Sequence, residues 1–203
     1  MKRILYATTN PTKVARLREL VSHLPLQVLT LDDVNRDSQV TEDGHTPAEN
    51  ARKKVEVHYG EGGMPTVAID SGLHIDRFPK ERQPGLFVRR IRGTGDRATD
   101  EEMVRTYQQE LDNVGGKSQG TWTTAIALKV SAGHTFSETF TSETLFSSRA
   151  CDVLTPGEPL NALQIDAETG KYFSEMTPEE RTRAQGRRAS GVVDFLERHL
   201  DRL

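Results

Sequence analysis

Cysteine, aromatic residues and long apolar runs are all scarce in this sequence. Cys151 is the single cysteine among 203 residues, so no internal disulfide forms and a disulfide-stapled scaffold is excluded. Aromatic residues make up 6% of the chain and do not interleave with the arginine clusters, which argues against a nucleic-acid binder. No apolar run approaches the roughly 18 residues of a membrane span, and the N-terminal run is too short for a signal peptide. We therefore expect a cytoplasmic protein without membrane or nucleic-acid partners.

The charge balance and the spacing of possible metal ligands argue against a duplex-binding protein and against a zinc site. Twenty-seven basic and thirty acidic residues give a net charge of -3, so the chain lacks the broad basic excess of duplex-binding proteins. The six histidines and one cysteine show no spacing typical of a zinc site. A chain of this length buries roughly 70% of its unfolded surface without external staples. We expect residues 1–203 to form a single domain whose anion sites are local.

Strand and helix signals alternate along the chain, which predicts an α/β fold. Strands are predicted at 4–7, 26–29 and 66–70, and as a long antiparallel hairpin over 122–146. Helix starts are predicted at Asn10-Pro11 and at the capping boxes that begin with Thr46, Thr99 and Thr177. Pro25 is predicted to end the first helix, and Gly60 the second.

The loop from Thr8 to Lys13 is a candidate phosphate site. It places hydroxyls, an amide, unpaired helical amide groups and a lysine at the positive end of a helix. The alternative is an ordinary capped helix with no ligand. Lys54, in the second helix, is either a further phosphate contact or a solvated lysine.

Asp70 is the strongest candidate for chemistry. It is predicted to end the strand 66–70 before a turn at Ser71-Gly72, so its carboxylate would lie at the carboxyl edge of a sheet, where ligand sites gather. A buried acid needs a partner, and a cation shared with Glu49 would supply one. The alternatives are that Asp70 accepts turn amides and that Glu49 completes the cap of Thr46.

Four segments together resemble successive motifs of the inosine/xanthosine triphosphate pyrophosphatase family, which acts on noncanonical purine nucleoside triphosphates. The segments are Thr8–Lys13, Glu42–Lys54, Asp70–Leu73 and Pro84–Arg90. Each is moderately specific, and their order and spacing over residues 1 to about 95 make the likeness strong. The resemblance implies a two-lobed α/β fold with a long mixed central sheet flanked by helices and a nucleotide cleft between the lobes. It also implies magnesium-dependent hydrolysis of a nucleoside triphosphate to monophosphate and pyrophosphate, and a homodimer.

The resemblance also assigns roles to individual residues. Asp70, Lys13 and Lys54 are the predicted catalytic residues, and Glu49 and Asp70 are the predicted Mg²⁺ ligands. The predicted substrate-binding residues are Thr8, Thr9, Asn10, Lys13, Lys54, Ser71, Gly72, Arg90 and Arg187.

The sequence departs from the family pattern at several positions. The family has two adjacent acids where this chain has Ile69 and Asp70, so one carboxylate is missing. Val88 replaces a serine, and the aromatic segment that forms much of the base pocket corresponds to 157–162, which has no aromatic residue. Of a late Ser-His-Arg motif only Arg187 remains.

These departures leave more than one functional hypothesis. The leading one is a pyrophosphohydrolase that cleanses the nucleotide pool of a purine triphosphate such as ITP, dITP or XTP. The alternatives are an enzyme for a different or modified nucleotide, and a catalytically impaired nucleotide-binding protein. The loss of aromatic stacking costs something like 1 to 3 kcal/mol of base affinity, so we expect specificity to change more than the reaction class.

Overall fold

The α/β prediction is confirmed by a computed structural model that describes residues 1–36, 40–60, 63–89 and 98–203. Arg90 lies outside these described residues. The strands are β1 (Lys2–Tyr6), β2 (Leu26–Leu29), β3 (Thr66–Ile75), β4 (Lys117–Ser131), β5 (His134–Ser147) and β6 (Gln164–Ile165). The helices are α1 (Pro11–Leu20), α2 (Pro47–Gly60), α3 (Asp100–Asn113) and α4 (Pro178–Arg198), with short 3₁₀ turns between elements. Across the described ranges, no helix has the length and apolar content needed to cross a membrane.

The six strands form one mixed sheet in the order β2-β1-β3-β4-β5-β6. β1 runs parallel to both of its neighbours, with Leu5 opposite Leu29 in β2 and Tyr6 opposite Val67 in β3. β4 and β5 are joined by two residues, a connection that only antiparallel neighbours allow. β6 pairs antiparallel with β5. The prediction of a long mixed sheet accompanied by helices is confirmed.

Three helix starts follow the predicted capping chemistry. Asn10 Oδ1 accepts hydrogen bonds from the amides of Thr12 and Lys13, with Pro11 at the first helical position of α1. Thr99 and Glu102 form a reciprocal capping box at α3. The amide of Thr177 likewise donates to Glu180 Oε2, while the amide of Glu180 donates to the Thr177 hydroxyl.

The first of two compact units consists of residues 1–71, 124–140 and 188–203. Its main core joins one face of the sheet to α1 and α4. The buried members from the helices are Val14, Leu17, Val192, Phe195 and Leu196. α2 packs through Ala51 and Val55 against Ala7, Ala68 and Ala127, all of which are at most 4% exposed. Because these contacts are mostly alanines, the backbone of α2 approaches the sheet closely.

The second unit consists of residues 72–123 and 141–187. Met103, Tyr107 and Leu111 form the buried face of α3 and share a core with Phe146 and Leu163. A smaller cluster joins Phe173 and Met176 to Ala184 in α4.

The prediction that α1 extends to Pro25 is wrong, because the helix ends at Leu20. The chain continues in tight turns, with the amide of Ser22 bonded to Glu19 O and that of Leu24 to Val21 O. Proline disfavours helical geometry at the residue before it, so the chain leaves the helix ahead of Pro25. Val21 and Leu24 are nevertheless buried, as their place in the apolar stripe predicts.

The prediction that Asp70 ends its strand is also wrong, because β3 continues through Ser71 and Gly72 to Ile75. The fifteen-residue β4 is the neighbour of β3 in the sheet and is long enough to pair with this extension, so no turn is needed at Gly72. Leu73 and Ile75 lie two residues apart on one face of β3 and pack in the core of the second unit. Asp70 is therefore a mid-strand residue that lies three positions past Val67, where the parallel partner β1 ends.

Two glycines of α4 are expected to respond oppositely to alanine. A Cβ at Gly191 would overlap the ring of Phe140, whereas a Cβ at Gly186 meets no heavy atom within 4 Å. We expect Gly191→Ala to lower the free energy of unfolding by about 1 to 3 kcal/mol through overpacking. Gly186→Ala should raise it by about 0.5 to 1 kcal/mol, because alanine favours the helix. Urea denaturation of both variants measures the two effects, and equal effects of the same sign would contradict this packing.

Candidate active site

A buried ion pair joins α2 to β3 at the centre of the candidate site. Lys54 Nζ donates to Asp70 Oδ1 over 2.9 Å, and the two side chains are 12% and 11% exposed. The same nitrogen contacts Glu42 Oε1 at 3.2 Å. Two carboxylates from distant parts of the sequence therefore face one ammonium group.

The helix geometry of α2 explains why Lys54 reaches Asp70. Asn50 and Lys54 are four residues apart, so they lie on the same face of the helix. Ala51 and Val55, on the adjoining stripe, hold that face close to the sheet. As a result Asn50 Nδ2 donates to Asp70 Oδ2 at 3.4 Å, beside the Lys54 contact.

Lys13 belongs to the same electrostatic cluster. Burial lowers the pKa of its ammonium group, and the nearby charge of Lys54 lowers it further, while Asp70 and Glu42 act in the opposite direction. The charge of Arg16 lowers this pKa as well, so Lys13, Lys54 and Arg16 together exceed the negative charge of Asp70 and Glu42 by one. Added negative charge is therefore favourable in this region. This is the electrostatic requirement for binding a polyphosphate.

The loop before α1 is more fully hydrogen-bonded than its sequence suggests. The amides of Thr12 and Lys13 were expected to be available to a phosphate, but both donate to Asn10 Oδ1. Thr8 Oγ1 accepts from the amide of Asn10 at 3.3 Å, and Thr9 is exposed. The predicted phosphate contacts of Thr8, Thr9 and Asn10 stay predictions.

Glu49 has a capping role in this structure. Its carboxylate accepts from the amide of His45 at 2.7 Å, and its own amide donates to the Thr46 hydroxyl at 3.2 Å. The predicted cap at Thr46 is thus present, with His45 rather than Thr46 as the reciprocal donor. The predicted metal contact of Glu49 stays a prediction, and Glu42 is the acid that the fold brings to Lys54.

Ser71 and Gly72 follow Asp70 within β3. Successive side chains of a strand point to opposite faces, so Ser71 points away from the face that Asp70 shares with α2. The Ser71 hydroxyl is 3.2 Å from that of Thr124. Gly72 is buried in the strand. Ile69 packs against the main core of the first unit, where an acid would be unfavourable.

Arg187, in the second unit, contacts two acids. Its guanidinium lies 2.9 Å from Asp166 Oδ1 and 2.9 Å from Glu168 Oε2. Burial alone would raise the pKa of Asp166, but hydrogen bonds from Thr169 and Arg187 outweigh it and hold that pKa below its ordinary value. The contact of Arg187 with the nucleotide stays a prediction.

Charged groups of the second unit hold the segment 157–162, which the sequence resemblance predicts to correspond to the base-pocket segment of the family. Arg89 donates to the carbonyl of Gly157 at 2.7 Å, and the amide of Gly157 donates to Asp100 at 2.7 Å. Asn161 donates to Glu158 at 2.8 Å, and Leu160 is buried in the core. The backbone of this turn is therefore fixed, while its side chains offer no ring for stacking.

Two residues of the cluster, Glu42 and Asn50, were missed by sequence reasoning. Both lie inside the motif Glu42–Lys54, but a local pattern does not show which acid of a loop folds back onto a lysine twelve residues later. The i, i+4 spacing of Asn50 and Lys54 was a signal that could have placed Asn50 beside Asp70.

Comparison with known proteins decides the family. The sequence model of the Ham1 family matches residues 4–192. The chain belongs to the Ham1 family. This confirms the family prediction made from the four motifs.

Among the relatives of this Ham1-family chain, the dITP/XTP pyrophosphatase of Geobacter sulfurreducens is 35% identical over 114 residues, which cover 56% of this chain and 55% of the relative. The chain thus spans about half the length of the first curated relatives that it matches. The dITP/XTP pyrophosphatase of Cutibacterium acnes is 29% identical over 208 residues and matches across 99% of both chains. A Ham1 protein from Coxiella burnetii has the same fold, with a TM-score of 0.79 at 22% identity over 98% of this chain and 100% of that one.

Proposed function

We propose that this Ham1-family protein hydrolyses a nucleoside triphosphate to the monophosphate and pyrophosphate. The observation that carries the proposal is the cluster in which Lys54 contacts both Asp70 and Glu42 beside Lys13. Its charges suit a polyphosphate, and its lysines can neutralise the charge that develops as the phosphoanhydride bond breaks. The relatives named dITP/XTP pyrophosphatase support a deaminated purine nucleotide, such as ITP, dITP or XTP, as the substrate.

The oxygen donors of the cluster fit a magnesium ion. Mg²⁺ takes oxygen ligands and is commonly held by one or two carboxylates together with waters and substrate phosphates. Asp70 and Glu42 supply two such carboxylates, which converge here on one cationic group. Among the described residues no group of three or more acids, histidines and cysteines gathers as a metal site. When bound, the ion would polarise a phosphoryl oxygen and acidify a water.

The chain's own groups then have distinct roles. Lys13 and Lys54 hold the triphosphate, and the depressed pKa of Lys13 is restored as the anion arrives, because negative charge favours its protonated form. Asp70 orients a water toward the α-phosphorus and accepts its proton. Glu49, Arg90 and Arg187 remain in the proposal as further metal or nucleotide contacts, on the basis of the family resemblance. A homodimer, a cytoplasmic location and a nucleotide cleft between two lobes stay predictions.

A second candidate function is nucleotide binding without efficient cleavage. It is favoured by Ile69, which packs against the core where the family pattern has an acid. This leaves Asp70 without the adjacent carboxylate.

The experiment is pyrophosphate release by the purified protein from ATP, GTP, dGTP, ITP, dITP and XTP, with Mg²⁺ and with excess EDTA. We expect Mg²⁺-dependent turnover, with kcat/KM for the deaminated purines higher by about tenfold or more than for ATP. The absence of turnover with every nucleotide would contradict the proposal. Tight binding by calorimetry in that case would establish the second candidate.

A further inference from the structure

Asn50 makes two hydrogen bonds that tie the two acidic segments of the site together. It is 2% exposed, and its Oδ1 accepts from the amide of Gly44 at 2.8 Å. Its Nδ2 donates to Asp70 Oδ2 at 3.4 Å. One side chain thus links the loop that carries Glu42 to the strand that carries Asp70.

The direction of these bonds is fixed by the backbone. The Gly44 amide can only donate, so the oxygen of the Asn50 amide must face it. The Asn50 nitrogen therefore faces Asp70, where it meets an acceptor. Both ends of the buried Asn50 side chain therefore have a hydrogen-bond partner, the Gly44 amide at the oxygen and the Asp70 carboxyl oxygen at the nitrogen.

The absence of a side chain at Gly44 permits the same contact. A Cβ at this position would lie 2.5 Å from Asn50 Oδ1 and 2.8 Å from Glu49 Cβ. Only a residue without a side chain lets the loop approach α2 closely enough for its amide to reach Asn50. Gly44 is buried, whereas Glu42 and Asp43 beside it are exposed, so Gly44 is the point at which the loop is attached.

We infer that Asn50 is a positioning residue that sets the orientation of the Asp70 carboxylate and the place of the Glu42 loop. Lys54 contributes attraction to both acids but is a flexible point charge that allows many orientations. Asn50 contributes direction, because its rigid planar amide bonds one named oxygen of Asp70 and one named amide of the loop. Only the expected effect of Asn50 on catalysis rests on the proposed function.

The test compares Asn50→Leu and Asn50→Asp in the full-length protein. Leucine has the same branched shape and makes no hydrogen bonds, so it removes both bonds of Asn50 while leaving the site filled. Aspartate still accepts from Gly44 but presents a like charge to Asp70. Asn113→Leu, at an exposed position at the end of α3, is the matched control. The measurements are kcat and KM for pyrophosphate release, amide exchange at Gly44, and the carboxyl ¹³C shift of Asp70.

We expect both Asn50 variants to lose about 10- to 100-fold in kcat, with KM changed by less than about threefold, as is typical when an outer hydrogen-bond partner is removed. Asn50→Leu should also accelerate exchange at Gly44, whereas Asn50→Asp should keep that amide protected. A folded Asn50→Leu variant with the kcat of the parent would overturn the inference.

Failure of the proposed function gives a different pattern. If the parent protein hydrolyses no nucleotide, the function is rejected and the two NMR measurements decide the role of Asn50. Faster Gly44 exchange with a shifted Asp70 signal in Asn50→Leu then supports the link. Unchanged values of both overturn it.

Discussion

Asp70→Asn is expected to lower kcat for nucleoside triphosphate hydrolysis by about 10²- to 10⁴-fold, the range typical of a lost general base. The substitution keeps the shape of the side chain but removes the charge that pairs with Lys54 and the oxygen proposed to accept the proton of the attacking water. It also removes one of the two carboxylates available to a divalent ion. Initial rates of pyrophosphate release at saturating nucleotide and Mg²⁺ measure the effect.

Asp43→Asn is the matched control for this experiment. Asp43 belongs to the same loop as Glu42 but pairs with Lys53 at the surface, where its side chain is 67% exposed. We expect its removal to change kcat by less than twofold. An Asp70→Asn enzyme within about threefold of the parent would show that the chemistry lies elsewhere.

Lys54→Met is expected to affect both stability and activity. Without the ammonium group, Asp70 and Glu42 lose their shared cation, and one of these carboxylates is largely buried. Removing one partner of a buried ion pair costs about 3 to 5 kcal/mol. This range applies to Asp70, because its side chain is only 11% exposed. We expect a loss of about 3 kcal/mol in the free energy of unfolding, together with weaker triphosphate binding. Chemical denaturation and KM measure the two effects.

Lys53→Met is the matched control for Lys54→Met, and added Mg²⁺ tests whether a cation is shared by Asp70 and Glu42. The Lys53–Asp43 pair is exposed, so its loss should cost at most about 1 kcal/mol. Mg²⁺ should raise the melting temperature of Lys54→Met more than that of the parent, because the ion replaces the missing positive charge between two carboxylates. Equal stability of the Lys53 and Lys54 variants, or no selective effect of Mg²⁺, would argue against the shared cation.

Much of the fold could be predicted because its signals are local. The caps at Asn10, Thr99 and Thr177 depend on side chains within three residues of the amides that they satisfy, so the sequence specifies them directly. The β4–β5 hairpin is similarly specified by alternation and a short turn. The end of β3 is different, because whether a strand continues past Gly72 depends on the length of its neighbour β4, a non-local property.

The site was predictable in its composition but not in its pairings. The motifs placed Lys13, Lys54 and Asp70 in one site, and the structure brings these three charges together. They gave the cap by Glu49 only as an alternative to a metal contact, and they did not show that Glu42 reaches Lys54 or that His45 donates to Glu49, since both contacts depend on how the loop 40–45 folds back over the helix. The resemblance assigns Arg187 to the nucleotide, but its contacts with Asp166 and Glu168 depend on how α4 packs, which the sequence does not show.

The cluster around Asp70 is proposed to direct water to the α-phosphorus of a nucleoside triphosphate. The most direct measurement is hydrolysis of ITP in ¹⁸O-water with Mg²⁺, followed by ³¹P NMR and mass spectrometry of the products. We predict inosine monophosphate carrying one ¹⁸O atom together with unlabelled pyrophosphate, and the loss of both products in Asp70→Asn. Release of the diphosphate and orthophosphate, or label in the pyrophosphate, would contradict the account.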